Sequence, residues 1–479
     1  MTIMLNKWET IIGIETHIQL STQSKLFSNS STTFCFYPNK QICNLDIGMP
    51  GVLPRLNKTA IDMAIRFGLI INTKIYNTSI FERKNYFYPD LPKGYQISQR
   101  HKPILGSGKI TIYLNKNTTL YIDHINLEED AGKLLHKKTH SAIDFNRSGI
   151  PLLEIITKPC ILNYNEVLIY LNYINKIVKY INISDADLSK GSMRCDINIS
   201  IRNKGNKKLN NYIELKNLNS YKYIKSAILY ETKRQINLLN KGGKIIKETR
   251  LYNFKKNKTY TLRKKENTND YLYLNCPDLL ELNLNKTCIL TQNNSLPDLP
   301  HMKIKNFLNL GLSFKEAKLL TNTLEIAIFV EKTFQICKDI HLTSIWIRCY
   351  LFEKLKVYYL NITQNPIKAT FLGKLLFYIK HNLINHNIAK IIFNQLWKTN
   401  LNNIETEINK LKKEQINDNN LLKMINLTLK YNILKIILYN KSTLKKKKQI
   451  LNFLIGQVIK KSKTKANPKH IKFLIKKLI

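Results

Sequence analysis

Hydrophobic and polar residues alternate with a period of two in several short stretches of the first 220 residues. In IIGIETHIQL, Ile12, Ile14, Ile18 and Leu20 fall on one side of the repeat, and Glu15, His17 and Gln19 on the other. That pattern predicts a strand with one buried and one wet face. GSMRCDINISIR repeats it, with Met193, Cys195, Ile197, Ile199 and Ile201 alternating with Arg194, Asp196, Asn198, Ser200 and Arg202. INLEEDAGK, GIPLLEII and YIELKN read as further extended runs that carry Glu129, Glu154 and Glu214. The periodicity changes after about residue 300. From Lys315 onward apolar positions recur at helical spacing, as in EAKLLTNTLEIAIFVEKTF, and Pro almost disappears. The expected class is α+β, a β-rich domain followed by all-helical ones.

Punctuation divides the chain. SLPDLP at 295–300 ends any regular element, and the polar run EINKLKKEQINDNN at 407–420 separates apolar-periodic segments. The expected domains are 1–296, 297–410 and 411–479. In the last helix Ile471, Leu474, Ile475 and Leu478 share a face, with Lys469, Lys472, Lys476 and Lys477 largely off it. FERKNYFYPDLPKGYQIS, at 81–98, is different again: Tyr88-Pro89 and Leu91-Pro92 require rigid loop, because Pro fixes φ and pushes the preceding residue toward extended geometry.

Composition adds a partner. The 479 residues exceed one core. Against 33 acids stand 76 Lys and Arg, a formal charge of +43, which favours a polyanion through counterion release. Abundant Lys, Asn and Ile also follow from an AT-rich genome, so the charge alone does not establish nucleic-acid binding. Residues 441–479 contain no acid and hold KKKK and KKSKTK, either a solvated helix face or a module gripping RNA phosphates. The eight cysteines form no C-x-x-C pair and read as reduced thiols. No stretch approaches the ~20 apolar residues that cross a bilayer, so the expectation is a soluble, cytoplasmic chain.

The acids carry the chemistry. Glu15, Glu129, Glu154, Asp196 and Glu214 each lie within an extended run. One such acid is ordinary on a half-exposed sheet; five in a chain so rich in Lys point to a purpose. Clustered carboxylates repel unless a cation sits among them, and with His17 they suit Mg²⁺ or Mn²⁺. Such an ion commonly serves phosphoryl transfer. No G-x-x-x-x-G-K-[ST] or G-x-G-x-x-G occurs, so the phosphate donors would be Arg194, Arg147 or Lys216.

Taken together and in order, IIGIETHIQL, PGVLPRLN, RKNYFYPDLPKGYQIS, EEDAGK, FNRSGIPLLEI, GSMRCDINISIR, ELKNLNS and GGKIIKETR resemble the B subunits of the tRNA-dependent aspartyl/glutamyl amidotransferases. The likeness runs from residue 8 to about 300 and returns in FLIGQVIKKSKTKANPKHI. It implies a β-rich cradle, a helical domain and a small YqeY-like tail. It also implies an ATP- and Mg²⁺-dependent ligase, which phosphorylates the side-chain carboxylate of Glu or Asp on tRNA(Gln) or tRNA(Asn) and amidates it. Ammonia would come from an amidase-type glutaminase, the A subunit of such enzymes, and a small C subunit would complete a heterotrimer. By the same resemblance Glu15, His17, Glu129 and Glu154 would hold the metal, and Asp196 would be a further acid of the site. Lys84, Lys93 and Glu129 would line the ammonia path. Ser192 and Asn219 would join Arg147, Arg194 and Lys216 at the nucleotide, while Lys460, Lys461, Lys463, Lys465 and Lys469 would meet tRNA. Two departures stand out. Where many family members have zinc-binding cysteine pairs, this chain has Ser28, Ser30, Cys43 and Asp46, so no zinc is expected. Lys190 replaces a common Glu. The competing expectation is a non-catalytic tRNA-binding or assembly protein on the same scaffold.

Overall fold

The computed structural model describes residues 7–112, 118–264, 271–398, 418–441, 444–461 and 468–478. Two compact units divide the chain, Met1–Leu299 and Pro300–Ile479.

The first unit is α+β. Its strands are β1 (Trp8–Gln19), β2 (Thr73–Ile75), β3 (Thr78–Ser79), β4 (Glu82–Asn85), β5 (Tyr95–Ser98), β6 (Leu105–Ile112), β7 (Thr118–Glu129), β8 (Lys133–His136), β9 (Ser141–Asp144), β10 (Pro151–Thr157), β11 (Met193–Asn203), β12 (Ile213–Lys216), β13 (Glu248–Asn253), β14 (Lys258–Lys264), β15 (Leu272–Asn275) and β16 (Leu282–Asn283). Nine of them form one sheet in the order β14-β13-β12-β11-β1-β10-β7-β6-β2. Neighbours run antiparallel except β12 and β13, which are parallel. Ile-rich alternation explains the choice of strand, since β-branched side chains pack well on a pleated surface.

The apolar side of β1 is the core. Ile12, Ile14 and Ile18 are fully buried with Val167, Tyr170 and Leu171 of helix α2 (Tyr164–Tyr180) and Ile224 and Ala227 of helix α3 (Tyr221–Asn240), helix α1 being Lys58–Ile70. Asn163 and Ser220 cap α2 and α3, each accepting a hydrogen bond from a first-turn amide. The helices claim one face of the sheet and leave the polar face for chemistry.

The stretch 81–98 is a hairpin rather than loop throughout. Glu82–Asn85 and Tyr95–Ser98 pair as β4 and β5, beside β15, in a separate three-stranded sheet. The prolines fall in the connection, where Leu91 N donates to Tyr88 O (3.0 Å) and Gly94, at φ 74°, donates to Leu91 O (3.0 Å). Polar β4 residues that alternation alone leaves ambiguous are thus held by partners on both sides.

A second polar cluster lies under the loop that follows β1. Lys25 is fully buried with its ammonium 3.2 Å from Asp46 Oδ2. Asp46 also accepts from Ser28 Oγ (2.8 Å), Ser30 Oγ (2.6 Å) and Cys43 N (3.0 Å). Gly149 closes over the pair at φ 82°, where an added Cβ would stand 3.2 Å from Asp46 Oδ1.

The second unit is helical. Trp346, Ile347, Leu351, Leu372, Leu375 and Leu376 lie in one core, and Leu421, Ile425, Leu454, Val458, Ile471 and Ile475 in another. Ser313 and Glu316 form a reciprocal capping box at the start of helix Phe314–Leu320. Of the face expected on the last helix, Ile471 and Ile475 are buried and Leu474 is half-buried, but Leu478 is 45% exposed. Most of the polar run at 407–420 lies outside the described residues. No described helix is long and apolar enough to cross a membrane.

Lys25→Ala would leave the Asp46 carboxylate buried without its counter-charge. The expected loss is about 3 kcal/mol of stability, read from urea unfolding.

Candidate active site

Antiparallel register decides which acids meet. On β1, His17 stands opposite Glu154 of β10 and opposite Arg194 of β11, and Glu15 opposite Asp196. Because directly paired residues point the same way, these side chains share the wet face of the sheet. His17 Nε2 lies 3.6 Å from Glu15 Oε1, 3.6 Å from Glu154 Oε1 and 3.7 Å from Glu128 Oε1. One ligand atom each from Glu15, His17 and Glu154 falls within 4.8 Å of the other two.

Partners fix the acids from outside. Asn126 Nδ2 donates to Glu154 Oε2 (2.8 Å), and Ser98 Oγ, from the other sheet, donates to Glu128 Oε2 (3.0 Å). Lys84 on β4 faces the cluster with its ammonium 4.7 Å from the centre of the Tyr271 ring. Burial opposes its charge, yet Glu128 and Glu154 outweigh that cost and raise its pKa. Burial likewise opposes the imidazolium of His17, but Glu154, Glu15 and Glu128 push it up to about 9. Burial and then the charge of Glu154 push Glu15 up to about 8 and Glu128 up to about 7. Glu154 is the acid that stays ionised: against its burial, the His17 hydrogen bond and the charges of His17 and Lys84 hold it well below the usual carboxylate range. The site therefore has more carboxylate than its cations neutralise, and it answers by taking up protons.

Glu129, expected among the metal ligands, faces the other way. It is ion-paired with Lys93, accepts a hydrogen bond from Ile97 N (2.9 Å), and leaves the place beside His17 to Glu128. The cause is the two-residue period: neighbours on a strand point to opposite faces. Counting along β7 from Glu154's partner, Asn126, identifies Glu128 as the acid on its side.

The expected phosphate donors are differently placed. Arg194 Nη2 donates to Asp130 Oδ2 (2.6 Å), which also accepts from Gln19 Nε2 (2.9 Å). Arg147 Nε lies 3.6 Å from the same oxygen and donates to Ala131 O (2.9 Å). Lys216 is bracketed by Asp196 Oδ2 (2.5 Å) and Glu214 Oε1 (3.0 Å). Ser192 donates to Asp185 and accepts from Asp187 N, so its hydroxyl ties its own loop together. Asn219 is exposed and its amide turns to Asn217 Oδ1 (3.2 Å). Lys190 is exposed, 3.7 Å from Asp185. Far along the chain, Lys460 and Lys461 are both exposed. Lys463 and Lys465 lie outside the described residues, as does the side chain of Lys469. Of the positions expected to lack a closed zinc set, Ser28, Ser30 and the backbone of Cys43 donate to Asp46, which also receives the Lys25 ammonium.

Several buried polar atoms on the wet face have no partner: Arg194 Nε, Asn126 Oδ1 and Asn198 Oδ1. Unsatisfied atoms are uncommon in protein interiors. Here they are a free donor beside an Asp–Arg pair and free acceptor oxygens among carboxylates, which is what an anionic ligand and a hard cation would complete.

Asp130 holds this face to its rim. Burial raises its pKa, but Arg194 and Arg147 overcome that and lower it. Asp130→Asn is expected to lose about 2 kcal/mol in urea unfolding, the scale of hydrogen bonds to a charged group. Because the folded carboxyl titrates below the unfolded value of about 3.9, this contribution is complete above that pH and disappears as pH falls through the folded value. The variant's stability should accordingly approach that of the parent in acid.

Comparison with known proteins is consistent along the chain. A family model described as the GatB/GatE catalytic domain matches residues 10–290, and one described as the GatB domain matches residues 328–479. Among similar relatives is the B subunit of an aspartyl/glutamyl-tRNA(Asn/Gln) amidotransferase from Azotobacter vinelandii, 41% identical over 477 residues, 98% of this chain and 99% of the relative. Proteins of the same name from Hahella chejuensis and Coxiella burnetii are each 42% identical, over 483 and 479 residues, covering 98% of this chain and 100% and 99% of theirs.

Proposed function

The chain belongs to the family of aspartyl/glutamyl-tRNA amidotransferase B subunits, and from that membership we propose that the wet face of its nine-stranded sheet is where a tRNA-linked Glu or Asp is activated by ATP and amidated. The observation that carries the assignment is the convergence of Glu15, His17 and Glu154 within 4.8 Å, with Glu128 beside them. These four residues would hold Mg²⁺, and the donor set of carboxylates, imidazole and a free amide oxygen fits a hard divalent ion. When bound, such an ion supplies charge neutralisation to the phosphoryl group in transfer.

The chain's own groups do the rest. Arg194, fixed by Asp130 through one nitrogen, offers its unpartnered Nε to phosphate oxygen. In the first step an oxygen of the substrate carboxylate attacks the γ-phosphorus and the bond to ADP breaks. In the second, ammonia attacks the acyl carbon, phosphate leaves, and one proton is lost from nitrogen. Lys93 and Glu129, ion-paired on the opposite side of β7, would line a polar route by which ammonia approaches. Lys84, held as an ammonium by Glu128 and Glu154, would belong to the same route at its end nearest the acids. A glutaminase and a small third chain, the family's A and C subunits, would complete the enzyme. Lys460 and Lys461 would meet tRNA phosphates, and the cytoplasm is the place we propose.

Reconstituted with its partner subunits, ATP, Mg²⁺ and Glu-tRNA(Gln), the chain should form Gln-tRNA(Gln), and Glu154→Gln should lower kcat about 100-fold or more. Salt-sensitive tRNA binding without nucleotide turnover would overturn the proposal. Two neighbours separate the roles. Glu128→Ala should weaken Mn²⁺ binding in a spin-resonance titration, whereas Glu129→Ala should retain Mn²⁺ and ATP hydrolysis but lose amidation. The reverse result would exchange their assignments.

A further inference from the structure

The motif GGKIIKETR supplies strand β13, and successive side chains of that strand face opposite ways. Glu248 and Arg250 turn toward helix α3. Arg250 Nη1 donates to Glu248 Oε1 (2.7 Å), and its Nε donates to Thr259 Oγ1 (3.0 Å). That hydroxyl donates in turn to Oε2 of Glu231 (2.9 Å), a fully buried acid of α3. The network fixes the strand from behind. Thr249, between the two charged residues and fully buried, points to the other side of the sheet.

Register places Thr249 in line with the carboxylate centre. Parallel pairing sets it beside Glu214 of β12, and antiparallel pairing sets Glu214 beside Asn198 of β11, two positions from Asp196, which stands opposite Glu15. The Thr249 hydroxyl donates to Glu214 Oε2 (2.7 Å), and Glu214 Oε1 lies 3.0 Å from the Lys216 ammonium. Asp196 Oδ2 accepts from the same ammonium (2.5 Å). An ammonium has three N–H donors. With two of them held by acids, the direction of the third is set, and the Lys216 side chain is still 34% exposed.

A lysine stem is flexible and its charge is a point, so an ammonium that must act at one place takes its direction from its neighbours. Valine matches threonine in shape, and the hydroxyl is therefore what Thr249 adds. We propose that Thr249 and Glu214 are positioning residues of the phosphorylation step: the hydroxyl orients the carboxylate, and the carboxylate orients the Lys216 ammonium so that its remaining N–H meets the negative charge of the transferring phosphoryl group. The relay depends on the activation of the tRNA-linked acid by ATP proposed above and names the residues that aim this cation.

In the reconstituted enzyme with ATP, Mg²⁺ and Glu-tRNA(Gln), Thr249→Val should lower the kcat of ATP turnover about tenfold, part of the ~100-fold that a displacement of about 1 Å costs. Thr249→Ser should stay within twofold of the parent. Mn²⁺ affinity of the full-length Thr249→Val chain, read by spin resonance, should also stay within twofold, which a general loosening of the sheet would not allow. Glu214→Ala should reproduce the loss, and adding Thr249→Val to it should cost less than a further twofold, since the hydroxyl then has no carboxylate to orient. Undiminished kcat in Thr249→Val would overturn the relay, as would a loss that Ser does not restore or one that multiplies with that of Glu214→Ala. If Glu214→Ala does not fold, the Val and Ser variants decide alone. A parent enzyme without ATP turnover removes the kinase reading and the relay together, whereas an active parent with an unaffected Val variant removes the relay alone.

Discussion

Repulsion among Glu15, Glu128 and Glu154 is the constraint that organises the first unit. Their three strands are joined by backbone hydrogen bonds, so the carboxylates cannot move apart without breaking the register that also aligns Ile12, Ile14 and Ile18 with the core. One face of the sheet fixes the other. Relief has to come from charge, and three sources supply it: an imidazolium at His17, the ammonium of Lys84 delivered by a different sheet, and protons on Glu15 and Glu128. A divalent cation would take the place of those protons, on oxygens that the strand register already holds close together.

The basic residues nearby are allotted with economy. Despite 76 Lys and Arg in the chain, most cations near the centre are committed: Arg147 and Arg194 to Asp130, Lys216 to Asp196 and Glu214, and, on the opposite side of β7, Lys93 to Glu129. Arg194 alone among these keeps a buried, unpartnered donor. Large net charge therefore says little about the centre itself; what matters is which nitrogen is left without an oxygen.

Much of this is legible in the amino-acid order. Alternation in IIGIETHIQL and GSMRCDINISIR places both strands and assigns their faces correctly, because a period of two survives wherever one side is buried. The same rule, applied to INLEEDAGK, picks Glu128 over Glu129 once the partner of Glu154 is known, but cross-strand register is a long-range property that no single segment contains. The hairpin at 82–98 is hidden for a related reason: Pro and aromatic content dominates its middle, while its strands are only four residues each and are stabilised by β15, nearly two hundred positions away. Lys216 illustrates the opposite difficulty. Its motif suggests a free cation, and only the parallel approach of β13 and the antiparallel approach of β11 around β12 reveal how crowded with acid its surroundings are.

The ionic knot of Lys25 and Asp46 bears on how the protein reaches working order. It braces a nineteen-residue excursion of backbone, from Ser28 to Asp46, using groups encoded in the polypeptide and present from the moment of synthesis. Such a brace needs neither a thiol kept reduced nor an ion scavenged from the surroundings.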